Sequence, residues 1–172
     1  MYPATSASSM PKPTFEVVLV EPEIPNNTGN IGRTAAATGS RLHVIHPIGF
    51  DMDEKARRRA GLDYWDHVDC QEHDSWQAYI DTLAPPRAWL FTAREGRPIW
   101  DAKLAQGDHL VFGKESSGID TATKDAFVAR YGPESILTLP MVPQAGIRSL
   151  NLATAAAIAI YEGLRQIASN EP

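Results

Sequence analysis

The chain has 172 residues, 43% hydrophobic and 22% charged, with a formal net charge of −5. That is enough for one domain with a proper core, and the acidic balance argues against a protein that coats nucleic acid non-specifically, although a local basic patch or a footprint shared by two copies stays open. The single cysteine, Cys70, excludes an internal disulfide, the five histidines lack metal-ligand spacing, and no apolar run reaches the roughly 18 residues of a membrane span, so no metal, no membrane and a cytoplasmic setting are expected.

Residues 1–14 are rich in Ser, Ala, Pro and Thr and lack the basic start and apolar centre of a secretory signal. They are expected to be a disordered tail, with 15–168 forming one domain. FEVVLV (15–20) predicts a buried strand. EPEIPNNT (21–28) reads as a loop stiffened by Pro22 and Pro25, with Asn27 or Thr28 capping a helix that opens at Gly29 and ends at Gly39. Gly29 and Gly32 cost such a helix up to about 1 kcal/mol each relative to Ala, which points to close approach of another backbone or a ligand. Arg33 projects from its first turn.

A second strand is predicted over 41–46, followed by a loop and a short helix over 53–60 that carries Lys55, Arg57, Arg58 and Arg59. LDYWDHV (62–68) is aromatic and partly apolar. Asp74 is placed to cap a helix over SWQAYIDTL, stopped by Pro85 and Pro86. AWLFT (88–92) is a strand, AREGRP a polar turn, and HLVF (109–112) a strand entering the loop GKESSG (113–118). A helix over 121–131 ends at Gly132 and Pro133, a strand covers 135–139, and an Ala-rich helix covers 150–168. Between these last two, Pro140 and Pro143 block continuation of either strand or helix, Gly146 permits a turn, and Ser149 stands where an N-cap belongs.

The order β-α-β-α-β-β-α-β-α implies an α/β protein with a mostly parallel sheet flanked by helices. Ligands of such sheets bind beyond the carboxyl ends of strands, and three predicted strand ends carry Gly- or Pro-rich loops: 92–98, 113–118 and 140–148. The familiar nucleotide motifs fail, since GNIG (29–32) is not GxGxxG, GKESSG is not a P-loop, and no GxSxG occurs.

EPEIPNNTGNIGR, LVFGKESSGI and LPMVPQAGIRSLNLATAAAIAIYE resemble, in this order, the three motifs of the SPOUT class of RNA methyltransferases, in its ribose 2′-O-methylating branch. GFDMDEKARRRAGLDYWDHV is similar to one subfamily of that branch, the tRNA (cytidine(34)/uridine(34)-2′-O)-methyltransferases, and the likeness spans about 15–166. The resemblance implies a deep trefoil knot in the C-terminal part, a homodimer, and S-adenosylmethionine held in the knotted loops. It implies methyl transfer to the ribose of the wobble nucleotide in a tRNA anticodon loop, with leucine isoacceptors the expected substrates. The same chemistry on ribosomal RNA, and a non-catalytic RNA-binding module of the same fold, are the alternatives.

Roles follow from the same likeness. Arg33, with Asn30 nearby, matches the arginine at the reacting hydroxyl. A guanidinium stays charged at neutral pH, so a phosphate-holding and oxyanion-stabilising role suits it better than that of a general base. Glu115 matches the acidic residue of the second motif, either orienting Arg33 or Asn30 or balancing the sulfonium. Ser149 and Asn151 match the Ser-x-Asn of the third. Cofactor contacts fall at Phe91, Gly113, Leu139, Met141 and Ser149. Lys55, Arg57, Arg58 and Arg59 form either a tRNA phosphate clamp or a solvated helix face. Tyr64 and Trp65 either stack on bases or pack at a subunit interface, and Tyr161 is expected to pack.

Overall fold

The computed structural model describes residues 12–52, 63–142 and 146–169. Residues 1–11 of the expected tail, the expected helix over 53–60 with its four basic side chains, and Pro143 lie outside the described residues. Seven strands form one sheet: β1 (Glu16–Val20), β2 (Arg41–Ile45), β3 (Cys70–His73), β4 (Ala88–Thr92), β5 (Arg97–Pro98), β6 (His109–Phe112) and β7 (Ile136–Thr138). Their order is β3-β2-β1-β6-β4-β7-β5, and every neighbouring pair is parallel. All carboxyl ends therefore share one edge, which gathers the loops that follow β1, β4, β6 and β7. The helices are α1 (Pro25–Ala37), α2 (Trp76–Leu83), α3 (Thr121–Tyr131) and α4 (Leu152–Ser169). No described helix is long and apolar enough to cross a membrane.

Side chains alternate across each strand, so the sheet has two apolar faces. Val17, Leu19, Leu42, Val44, Leu110 and Phe112 face Ile31 of α1 and Ala156, Ala159 and Ile160 of α4. Val18, Val20, Ile45, Leu90 and Val111 face Tyr79 of α2 and Phe127 of α3. Burial on both faces explains why β1 and β6 read as continuous apolar runs. The second face also holds a polar cluster. The fully buried His43 meets Glu16 Oε2 at 2.8 Å through Nε2 and His73 Nε2 at 2.9 Å through Nδ1, and Tyr79 hydrogen-bonds His109.

Three helix starts differ from the sequence expectation. Helix α1 begins at Pro25, not Gly29, and its N-cap Ile24 contributes no side-chain bond, so Asn27 and Thr28 lie inside the helix. Proline suits a first helical position because its missing N–H would be unsatisfied there anyway. Helix α2 is capped by Ser75, whose Oγ accepts from the Ala78 N–H at 3.1 Å, rather than by Asp74. Helix α4 starts two residues late, with Asn151 Oδ1 accepting from the N–H groups of Ala153 and Thr154 at 2.9 and 3.2 Å, so Asn151 is the cap and not Ser149. The polar edge strand β3 (CQEH) and the two-residue β5 carry no apolar pattern, and the sequence reading omits both. Residues 65–67 form one 3₁₀ turn.

Candidate cofactor and substrate site

A cavity of about 620 Å³ opens at the carboxyl ends of β4, β6 and β7. Phe91, at the end of β4, lines it and is held by offset stacking on Phe112, with centroids 4.8 Å apart and planes 12° from parallel. Gly113, the residue after β6, lines it too. A Cβ on Gly113 would lie 2.3 Å from the Gly118 carbonyl carbon, because the 113–118 loop folds back through paired Lys114 and Gly118 backbone bonds of 3.0 and 2.9 Å. Leu139 and Met141 follow β7 and contribute half-buried apolar surface, while Ser149 and Asn151 reach the same cavity from the approach to α4. All the residues singled out for the cofactor thus border one space, within the 300–1,000 Å³ range of small-molecule sites.

Glu115 also lines the cavity, but its carboxylate is turned toward α1. It accepts from the N–H groups of Glu23 and Ile24 at 2.7 and 3.2 Å and from Asn27 Nδ2 at 3.1 Å. A carboxylate here complements the positive end of the helix dipole and fixes the backbone that leads into the helix. Glu115 makes no direct bond to Arg33 or Asn30; it holds the segment entering α1 and Asn27, and so acts on those two side chains only through the helix that carries them. Glu23 returns the contact: its carboxylate accepts from the Ser116 N–H at 2.9 Å and Oγ at 2.8 Å, and these bonds lower its pKa. Asn27 Oδ1 in turn accepts from Asn151 Nδ2 at 2.9 Å. One hydrogen-bonded chain, Glu115–Asn27–Asn151, thus joins the loop after β6, the first turn of α1 and the cap of α4.

Asn27 is the residue that sequence reasoning assigned to mere capping. Its signal was present: with the helix started at Pro25, Asn27, Ile31 and Ala35 share one buried face at i, i+4 and i+8. Glu23 and Ser116 lie inside EPEIPNNTGNIGR and LVFGKESSGI, and their mutual contact, about ninety residues apart in sequence, is visible only in the fold.

Asn30 and Arg33 are exposed on α1 and do not line the cavity in this chain. The Arg33 guanidinium lies over the Tyr64 ring at 4.2 Å from the centroid, and Tyr64 Oη donates to the Gly29 carbonyl at 2.8 Å. Tyr64 therefore braces the helix that presents Arg33. Trp65 is buried beneath Gly32, where a Cβ would come within 2.7 Å of its ring, so it packs inside the chain and cannot stack on a base. This also explains Gly32 as close helix-to-ring approach. Tyr161 is 59% exposed on α4, beside Ile158 at 42%, so the expectation that it packs is not met within one chain. No group of histidine, cysteine or carboxylate side chains suited to a metal occurs among the described residues.

Residues 14–161 match the SpoU rRNA Methylase family. A tRNA (cytidine(34)-2′-O)-methyltransferase from Polaromonas sp. is 45% identical over 154 residues, covering 88% of this chain and 90% of its own. The enzyme of the same description from Escherichia coli K12 is 43% identical, covering 89% of this chain and 94% of its own. A solved structure from work on "the 2-OH methylation of C/U34 on tRNA" superposes with a TM-score of 0.77 at 42% identity, covering 91% of this chain and 97% of that one. With a family match over most of its length and relatives this similar, the chain belongs to the SpoU rRNA Methylase family.

Proposed function

We infer that the protein is an S-adenosylmethionine-dependent tRNA methyltransferase that modifies the ribose 2′-hydroxyl of the wobble nucleotide, cytidine or uridine 34. The observation that carries this is the single cavity bordered by Phe91, Gly113, Leu139, Met141, Ser149 and Asn151, drawn from three strand ends far apart in the chain. Relatives over 40% identical along almost their whole length carry this activity in their names, and they are described as acting on tRNA, which favours tRNA over ribosomal RNA.

The residues fit the cofactor. Phe91 and Leu139 offer apolar walls, the 113–118 loop offers main-chain donors and acceptors, and Ser149 offers a hydroxyl. Bound there, S-adenosylmethionine would supply a methyl group on a sulfonium. The chain itself supplies placement. Arg33 stacks its guanidinium on Tyr64 and has no hydrogen-bond or acidic partner among the described residues, so its fork of N–H donors suits holding a phosphate and stabilising charge developing on the ribose oxygen. Glu115, Asn27 and Asn151 fix α1, and hence Asn30 and Arg33, relative to the cofactor loops.

Arg33 lies outside the cavity lining, and Ile158 and Tyr161 leave an apolar face on α4. Both features suit a homodimer whose site is completed across the subunit boundary. We extend to this chain the deep trefoil knot that its motifs imply, in which the 113–118 loop and residues 148–151, which border one cavity, would be knotted segments. We place the enzyme in the cytoplasm, with residues 15–168 as one domain and Lys55, Arg57, Arg58 and Arg59 on the tRNA.

The test is incubation with methyl-labelled S-adenosylmethionine and separate tRNA and ribosomal RNA pools. Label in tRNA, mapped to the ribose of nucleotide 34, is expected. Label confined to ribosomal RNA, or cofactor binding without transfer to either, would refute the assignment.

A further inference from the structure

Four cations line the cavity: Arg94, Lys114, Lys124 and Arg148. Two are neutralised within the fold. Lys114 Nζ lies 2.6 Å from Glu21 Oε2, and Lys124 pairs with Glu95. The cavity's remaining carboxylate, Glu115, is occupied by the N–H groups of Glu23 and Ile24 and the side-chain amide of Asn27. Arg94 and Arg148 are left with no acidic partner among the described residues, and both are exposed. Arg94 comes from the turn after β4, whereas Arg148 comes from the loop before α4, directly before Ser149. They therefore reach the cavity from two of the loops that build it.

Two unpaired guanidinium groups at one opening stand out in a chain of net charge −5. A guanidinium keeps its charge and offers a fork of N–H donors matched to phosphate oxygens. We propose that Arg94 and Arg148 form a clamp at the cavity mouth for the phosphodiester groups flanking the nucleotide that enters the site. Their exposure favours a ligand arriving from solvent, such as an RNA backbone, over the cofactor's own carboxylate. The clamp fixes the strand while the target ribose descends beside Ser149, so the two arginines position the substrate. This rests on the methyltransferase reading above.

The test compares wild type with Arg94→Ala, Arg148→Ala, the double variant and the matching Arg→Lys variants. Affinity for a tRNA transcript is measured across a salt series, with S-adenosylmethionine affinity measured in parallel by calorimetry. Each alanine variant is expected to flatten the plot of log affinity against log salt by about 0.7, the value for one contact to single-stranded phosphate. The KM for tRNA should rise several-fold, the cofactor Kd should stay within about twofold, and the lysine variants should restore the slope because they keep the charge. An unchanged slope with weakened cofactor binding would assign the arginines to the cofactor carboxylate and overturn the clamp. Unchanged values throughout would show solvated side chains and overturn it as well. Wild-type protein that binds cofactor but methylates no tRNA would remove both this inference and the reading beneath it, an outcome distinct from failure of the clamp alone.

Discussion

Replacing Asn27 by alanine removes two hydrogen bonds at once: that from Nδ2 to the Glu115 carboxylate at 3.1 Å and that from Asn151 Nδ2 to Oδ1 at 2.9 Å. A bond to a charged acceptor contributes about 1.5–3 kcal/mol and a neutral one about 1 kcal/mol. Asn27 is only 6% exposed, so water cannot readily replace either, but the partners are partly exposed and the lower half of each range applies. The expected loss is about 2–3 kcal/mol, or a fall of roughly 5–10 °C in Tm for a domain of this size. Thermal unfolding followed by circular dichroism measures it. S-adenosylmethionine affinity should fall as well, because Asn151 loses the contact that ties its loop to α1. A cycle with Asn151→Ala should give a coupling of about 1 kcal/mol. A variant with unchanged Tm and cofactor affinity would refute the idea that this amide joins the three motifs.

Arg33→Ala should abolish turnover while leaving cofactor affinity within about twofold, since the side chain does not line the cavity; comparable activity in the variant would remove its catalytic role. Gly113→Ala would drive a Cβ against backbone at 2.3 Å, so the 113–118 loop must shift, and cofactor affinity should drop by at least about tenfold, read by calorimetry. Stability should fall with acid. Burial holds the His109 imidazole down at about 4, and burial with neighbouring His43 lowers His73 as well. The unfolded chain binds these protons near the usual 6.5, so stability is whole above that pH and drains toward 4, by about 3 kcal/mol for His109 alone. Burial alone would raise Glu16, but its contacts with His43 and Arg41 outweigh that and lower it, so it acts in the same direction below its usual 4.5. Urea unfolding across this range checks the trend, and a flat profile would contradict it. Replacing Arg57, Arg58 and Arg59 together should weaken tRNA binding and reduce its salt dependence, and unchanged affinity across a salt series would take them out of the footprint.

The strands were legible where burial on both faces writes itself as an apolar run, as in β1, β4 and β6. The parallel sheet followed from the alternation of elements. Strand β3 was not legible, because an edge strand of Cys, Gln, Glu and His shows neither alternation nor an apolar run. The cavity was foreseen from loops at strand ends, and those loops do converge. What remained hidden was what holds the entry to α1. The N–H groups of Glu23 and Ile24, which lead into its first turn, are bound by Glu115, about ninety residues away in sequence, and no local pattern can report a partner at that distance. The late start of α4 has a similar origin. Both Ser149 and Asn151 are good capping residues, and the choice is made by the contact of Asn151 with Asn27 across the fold.

The most direct test is a structure of the protein with S-adenosylhomocysteine. The nucleoside should lie between Phe91 and Leu139, bordered by the 113–118 loop, with Ser149 in contact and the Glu115–Asn27–Asn151 bonds intact. A ligand seated elsewhere, or one that enters only after those three side chains separate, would contradict the single pocket on which the proposed function depends.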